Sequence, residues 1–112
     1  MTILVIEPLM KPYVKFIDGS LGSMQQIVGG MIQALYPFED SDIALICNEE
    51  GKLSDLQLNR ALYDDSGRIF DIISGTFFLC QAPADSDNFE NLTEEQIKKY
   101  TERYKYPEIY LK

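Results

Sequence analysis

No histidine occurs anywhere in the 112 residues. Its absence removes Ser-His and Cys-His nucleophilic catalysis, histidine-ligated zinc and the usual proton shuttle near neutral pH. Catalysis in such a chain would fall to carboxylates, Lys or Tyr. Cysteine is scarce as well. Cys47 and Cys80 each end an apolar run, "IALIC" and "TFFLC", and no CxxC pair is present. Two buried, reduced thiols are the simplest reading, with neither a disulfide nor a metal role. No apolar run approaches the roughly 18 residues that a membrane span needs. The opening "MTILVIEPLM" lacks a basic leader and meets an acid at Glu7, so it reads as a first strand rather than a signal peptide, and the expected location is cytoplasmic. Internal repeats and low-complexity segments are also missing.

What is present suits a globular chain. Apolar residues make up 46% and aromatics 12% of the sequence, and the length fits one domain, residues 1–112. The net charge is −8, and it is unevenly spread. Fifteen acids face three bases between Asp18 and Glu95, a net of −12, whereas Gln96 to Lys112 carries a net of +3. An acidic body argues against direct nucleic-acid binding, which depends on Lys and Arg neutralising phosphates. It is compatible with a basic protein partner.

"ILVIEP" (Ile3–Pro8) and "YVKFI" (Tyr13–Ile17) read as strands, with Pro8 and Pro12 flanking their connection. Ser20 is a good helix N-cap. Leu21, Met24, Ile27 and Val28 then fall on one helical face, and Gly29-Gly30 is a stop. "MIQALYPF" reads as a strand ended by Pro37, and "IALIC" as an interior strand because it lacks polar alternation. "NEEGK" is a turn with Gly51 expected at positive φ, and "LSDLQLNRAL" has no clean period and reads as a loop with a helical turn. "DDSGR" is a hairpin turn. "IFDIISGTFFLCQ" is one long strand, or two broken at a Ser74-Gly75 bulge. Near the C-terminus, Thr93 and Gln96 form a capping box, Leu92 and Ile97 a hydrophobic staple, and Glu94–Lys98 and Glu95–Lys99 i,i+4 pairs. Ile97, Tyr100 and Tyr104 make the inward stripe. Pro107 ends the helix, and "EIYLK" is expected to add a short strand. The sum is an α+β fold: a mixed or antiparallel sheet of five or six strands with two helices packed on it.

The stretch "CNEEGKLSDLQLNRAL" holds the main candidate site. Asn48 and Asn59 are able backbone cappers, and Arg60 offers five donors in a rigid fork. In the plainer reading, Arg60 clamps a turn by pairing with Glu49, Glu50, Asp64 or Asp65. In the functional reading, Arg60 with Asn48 and Asn59 holds a planar anion or a partner carboxylate, beside Glu49, Glu50 and the Gly75-Thr76 backbone. "VGGM" ends a helix rather than starting one, so it is a C-cap and not a phosphate nest. The acid pairs Glu49-Glu50 and Asp64-Asp65 lack the spacing of a calcium loop, and no metal or other cofactor is expected. "KKYTERYKY" interleaves bases with tyrosines, but these read as a solvated helix face over a core stripe.

Four blocks, "YVKFIDGSLGSMQQIVGGMIQALYPFED", "ALICNEEGKLSDLQLNRAL", "DIISGTFFLC" and "LTEEQIKKYTERYKYPE", together resemble a family of small bacterial proteins of unknown function, commonly encoded by phages, plasmids and conjugative elements. "SDLQL" departs from the family pattern, which has a Gly- or Pro-containing loop before Asn-Arg. The resemblance implies a mobile-element setting but no activity. With the missing histidine and the acidic body, it favours a non-catalytic accessory protein that binds a host or element-encoded protein. One alternative is a sponge for a small anionic ligand such as a signalling nucleotide, with a site at Arg60. Another is an acidic DNA mimic of the antirestriction kind. Neither direct nucleic-acid nor membrane binding is expected, and the oligomeric state is open.

Overall fold

The computed structural model describes residues 1–110. Seven strands and two helices follow one another as β1 (Thr2–Ile6), β2 (Tyr13–Phe16), α1 (Leu21–Val28), β3 (Ile32–Leu35), β4 (Ile43–Asn48), β5 (Leu58–Tyr63), β6 (Ile69–Ser74), β7 (Phe77–Gln81) and α2 (Glu94–Tyr104). Five of the strands form an antiparallel sheet in the order β2-β1-β7-β4-β3, and β5 and β6 pair as a separate two-stranded ribbon.

The large sheet is covered on both faces, which explains the unbroken apolar runs of its inner strands. Side chains alternate between faces along a strand. Ile3, Val5, Ala44, Ile46, Phe78 and Cys80 meet Met24 and Val28 of α1 on one side. Leu4, Ile6, Leu45, Cys47, Phe77 and Leu79 meet α2 and the ribbon on the other, through Tyr100, Tyr104, Leu62 and Ile73. The second layer carries an aromatic cluster. The Phe38 ring lies 4.8 Å from Tyr100, and Phe77 lies edge-on to Tyr104 at 5.7 Å.

The helix ends follow their sequence signals. The Ser20 hydroxyl accepts from the Ser23 amide at 3.1 Å, and Gly29 ends α1 in the left-handed conformation. The capping box of α2 is complete, with the Gln96 amide donating to Thr93 Oγ1 at 3.1 Å and the Thr93 amide to Gln96 Oε1 at 2.9 Å. Leu92 and Ile97 join the same apolar cluster.

Several expectations are corrected. "LNRAL" belongs to strand β5 (Leu58–Tyr63) rather than to a loop. Leu21 faces solvent, so the inward face of α1 is Met24 and Val28, with Ile27 partly buried beside them. Among the described residues the salt bridge at α2 joins Lys105 to Glu102 at 2.6 Å, and neither Glu94–Lys98 nor Glu95–Lys99 comes within ion-pair distance. Glu108, Ile109 and Tyr110 add no strand; Leu111 and Lys112 lie outside the described residues. Gly51 does not take positive φ. It is required by close approach, since a Cβ there would sit 2.8 Å from the Ser74 carbonyl oxygen. Gly75 does take positive φ, +82°. It marks a sharp break rather than a bulge, sending the chain from the ribbon strand β6 into the large-sheet strand β7.

The buried titratable groups make the core sensitive to alkali. Burial pushes the Cys80 thiol and the Tyr104 phenol up to about 12, and the Cys47 thiol up to about 11. A raised folded-state value means that the unfolded chain loses its protons first. Stability is therefore intact below about pH 9 and declines towards pH 12, by about 1.4 kcal/mol per group for each pH unit between the unfolded and folded values. Urea titrations at pH 7, 9 and 10.5 are expected to show this decline. A flat profile would mean that these groups are hydrated in the folded protein.

Candidate functional site

The Asn59-Arg60 pair sits in β5, where the β5–β6 register shifts between Leu58 and Arg60. Such an irregularity breaks the strict in-out alternation and re-aims side chains. Both residues are consequently buried, each with no exposed surface. The Asn59 amide nitrogen donates to the Ile6 carbonyl and to the Gly75 carbonyl, both at 2.9 Å. Its oxygen accepts from Arg60 Nη1 at 2.8 Å. Arg60 Nη2 donates to the carbonyls of Met10 at 2.7 Å and Tyr104 at 2.9 Å. Two consecutive side chains thus join the end of β1, the β1–β2 loop, the β6–β7 break and the end of α2.

None of the four carboxylates expected to pair with Arg60 does so. Glu49 and Glu50 lie on the turn after β4, and Asp64 and Asp65 on the β5–β6 turn. Asp64 is spent on its own turn, accepting from the Ser66 amide and hydroxyl and from the Arg68 amide. These bonds lower its pKa. The charge that acts on Arg60 is Glu108, whose Oε1 accepts from the Ala61 amide at 3.2 Å and from the Tyr110 hydroxyl. Burial lowers the Arg60 pKa, partly against the pull of Glu108. A guanidinium starts so high that it stays charged. Arg60 Nε and the Tyr104 hydroxyl are buried without a hydrogen-bond partner among the described residues.

Asn48 ties a second junction. Its amide nitrogen donates to the Val28 carbonyl at the end of α1 at 3.2 Å, and its oxygen accepts from the Glu50 amide at 2.8 Å. Gly30 leaves room for this, since a Cβ there would meet Asn48 Nδ2 at 2.8 Å. Asn48 and Glu49 line a cleft of about 130 Å³ between the large sheet and the ribbon, with Cys47, Lys52, Asp71 and Ser74. Lys52 and Asp71 form an ion pair there. Asn59 and Arg60 do not line this cleft. Gly75 is buried and Thr76 half-buried. The residues singled out in the sequence therefore fall into two groups: Asn48, Glu49 and Glu50 at the end of β4, and Asn59, Arg60 and Gly75 in the interior. The acid pairs are not brought together, because Asp64 and Asp65 line a different cleft, of about 320 Å³, opposite Lys99 and Arg103.

A family model, a domain of unknown function named DUF3846, matches residues 1–105. The chain belongs to the DUF3846 family. The matched span closes one residue after Tyr104, whose carbonyl receives Arg60. Neither the curated proteins nor the solved structures give a match. No helix among the described residues is long and apolar enough to cross a membrane.

The surface feature that sequence reasoning missed is apolar. Leu9, Met10, Tyr13, Val14 and Phe16 are all exposed along the β1–β2 hairpin of this DUF3846 fold, and Phe16 retains 76% of its surface. The signal lay in "YVKF", where apolar residues point to both faces of a strand with one Lys between them. Such a strand suits either a covered interior or an uncovered edge.

Arg60→Ala removes three hydrogen bonds, strands two carbonyls and leaves a cavity. Its expected cost is about 3–5 kcal/mol. Arg60→Lys keeps the charge but lacks the fork, and should recover less than half of that loss. Equilibrium urea unfolding measures both. An Arg60→Ala variant within about 0.5 kcal/mol of wild type, the range of an ordinary surface change, would show that the buried pair does not hold the layers together.

Proposed function

We propose that this protein is a non-catalytic binding module that acts on another protein through its β1–β2 hairpin. The observation that carries the reading is the exposed run Leu9, Met10, Tyr13, Val14 and Phe16 on one edge of the large sheet. Scattered single apolar residues on a surface are ordinary, but a concentration on one element is a mark of interaction sites. A non-catalytic role draws on the missing histidine. A cytoplasmic accessory role in a mobile element draws on the block-by-block resemblance, and the partner in this reading is a host or element-encoded protein.

The ligand-sponge reading has less behind it. The cleft beside Asn48 and Glu49, about 130 Å³, falls well below the roughly 300 Å³ at which small-molecule pockets begin. The donors of Arg60 that would hold an anion are bonded to the chain's own carbonyls. The DNA-mimic reading draws on the net charge of −8 alone.

Affinity capture with cross-linking in cells that carry the gene tests the binding reading. The wild-type chain is expected to retain one stoichiometric partner. Phe16→Asp should lose it, while Leu53→Asp, on a separate exposed loop, should keep it. Capture of nothing, or equal capture by Phe16→Asp, would overturn the reading.

A further inference from the structure

The hydrogen-bond register of the β1–β2 hairpin fixes which backbone groups of its outer strand are free. Met1 and Ile17 exchange both bonds, the Met1 amine donating to the Ile17 carbonyl and the Ile17 amide to the Met1 carbonyl at 3.0 Å. Bonded pairs recur every second residue in an antiparallel ladder, so Ile3–Lys15 and Val5–Tyr13 are the next ones. The alternate residues of β1 confirm the phase. The Thr2 amide and carbonyl point the other way, to Asn91 Oδ1 and to the Leu92 amide. The N–H and C=O groups of Val14 and Phe16 therefore point outward from the edge of the sheet.

Native edge strands are ordinarily blunted by charge, proline or a covering element. Here Pro12 guards one end and Lys15 is the only charge on the strand. Among the described residues, neither Lys11 nor Lys15 lies in an ion pair. In a chain with eighteen acids and ten bases, this edge is a place where cations stand unpaired beside apolar side chains.

We propose that β2 receives an extended segment of a partner protein as an added antiparallel strand, with an acidic residue opposite Lys15 and apolar residues opposite Val14 and Phe16. The inference rests on the protein-binding reading above and specifies its mode. Main-chain bonds to Val14 and Phe16 would supply affinity, and the side-chain alternation would supply specificity. Antiparallel addition continues the direction of every neighbouring pair in the sheet.

A second copy of the chain is the poorer occupant. Two-fold pairing that bonds Val14 to Phe16 of the other copy sets Lys15 directly opposite Lys15, in the close, non-bonded type of pair where like charges destabilise. Pairing centred on Val14 brings Pro12, which has no N–H, opposite Phe16. Pairing centred on Phe16 runs past the end of the strand at Asp18-Gly19. The net charge of −8 on each copy adds repulsion.

The test selects binders from a displayed library of random linear peptides on the intact protein, then measures the selected peptides by fluorescence polarisation. Peptides alternating apolar and acidic residues are expected. Val14→Pro removes only an outward N–H and leaves the native ladder intact. Lys15→Glu is a surface change, and a far-UV spectrum and unfolding midpoint check both folds. Each variant should bind the selected peptides about tenfold more weakly. Lysine in place of the peptide's acid should restore binding to Lys15→Glu. Failure to enrich any peptide, or equal binding by both variants, would overturn strand addition. So would a dimer in sedimentation that Val14→Pro dissolves, since the occupant would then be a second copy. A cellular partner that depends on Phe16 but tolerates Val14→Pro would refute strand addition and leave the protein-binding reading standing.

Discussion

The fold depends on a buried guanidinium and amide that bond to main-chain carbonyls in place of carboxylates. Asn59 and Arg60 reach the carbonyls of Ile6, Gly75, Met10 and Tyr104. These four carbonyls stand where regular structure ends, so no strand or helix ladder supplies their partners. Burying a charge is expensive unless it is well bonded. Asn59 Nδ2 and Arg60 Nη2 each donate to two main-chain carbonyls, Arg60 Nη1 donates to the Asn59 oxygen, and Glu108 contributes field without a direct ion pair. The Tyr104 carbonyl lies at the C-terminal, negative end of α2, where a cation is favoured. One side chain thus caps a helix, a loop and a ribbon together.

That junction governs the layering. The ribbon is short and two-stranded, and such a unit is marginal alone. It gains stability by laying Leu62 and Ile73 on the sheet and by the bonds of Asn59 to β1 and the β6–β7 break. Gly51 and Gly75 permit the contact from either side. One lets the turn after β4 close on the Ser74 carbonyl, and the other turns the chain sharply from ribbon to sheet. On the opposite face Asn48 plays the smaller corresponding part, fastening the end of α1 to the end of β4.

Elements whose signals are local could be read from the sequence. The α2 capping box needs only Thr93 and Gln96, and the stop of α1 only Gly29. Strand β5 could not be read in this way. Its register shift and two consecutive buried polar residues erase the period of two on which a strand is recognised. The positive φ expected at Gly51 failed for a related reason. A glycine required by a neighbour's backbone carries the same letter as one required by its own dihedral, and the neighbour, Ser74, is distant in sequence. The candidate site was legible as a set of unusual residues but not as a place. Nothing along "NEEGKLSDLQLNR" distinguishes Asn48, beside a surface cleft, from Asn59 and Arg60, sealed inside.

The placement also separates the residues that hold the layers together from those exposed along the hairpin edge. The blocks that carry the resemblance, Val-Gly-Gly, Asn-Glu-Glu-Gly and Asn-Arg, converge on the two backbone junctions. They are explained by helix ending, close approach and carbonyl bonding, with no ligand required. The hairpin is tied to those junctions at two carbonyls, that of Ile6 at the end of β1, held by Asn59, and that of Met10 in the loop, held by Arg60. The bond at Met10 also matters to the surface. Leu9 takes positive φ, +65°, a conformation that costs a non-glycine residue energy. Anchoring the loop at Met10 offsets that cost and holds the connection between β1 and β2. The buried arginine, though closed to solvent, anchors the loop that leads into β2, one of the two edge strands of the large sheet.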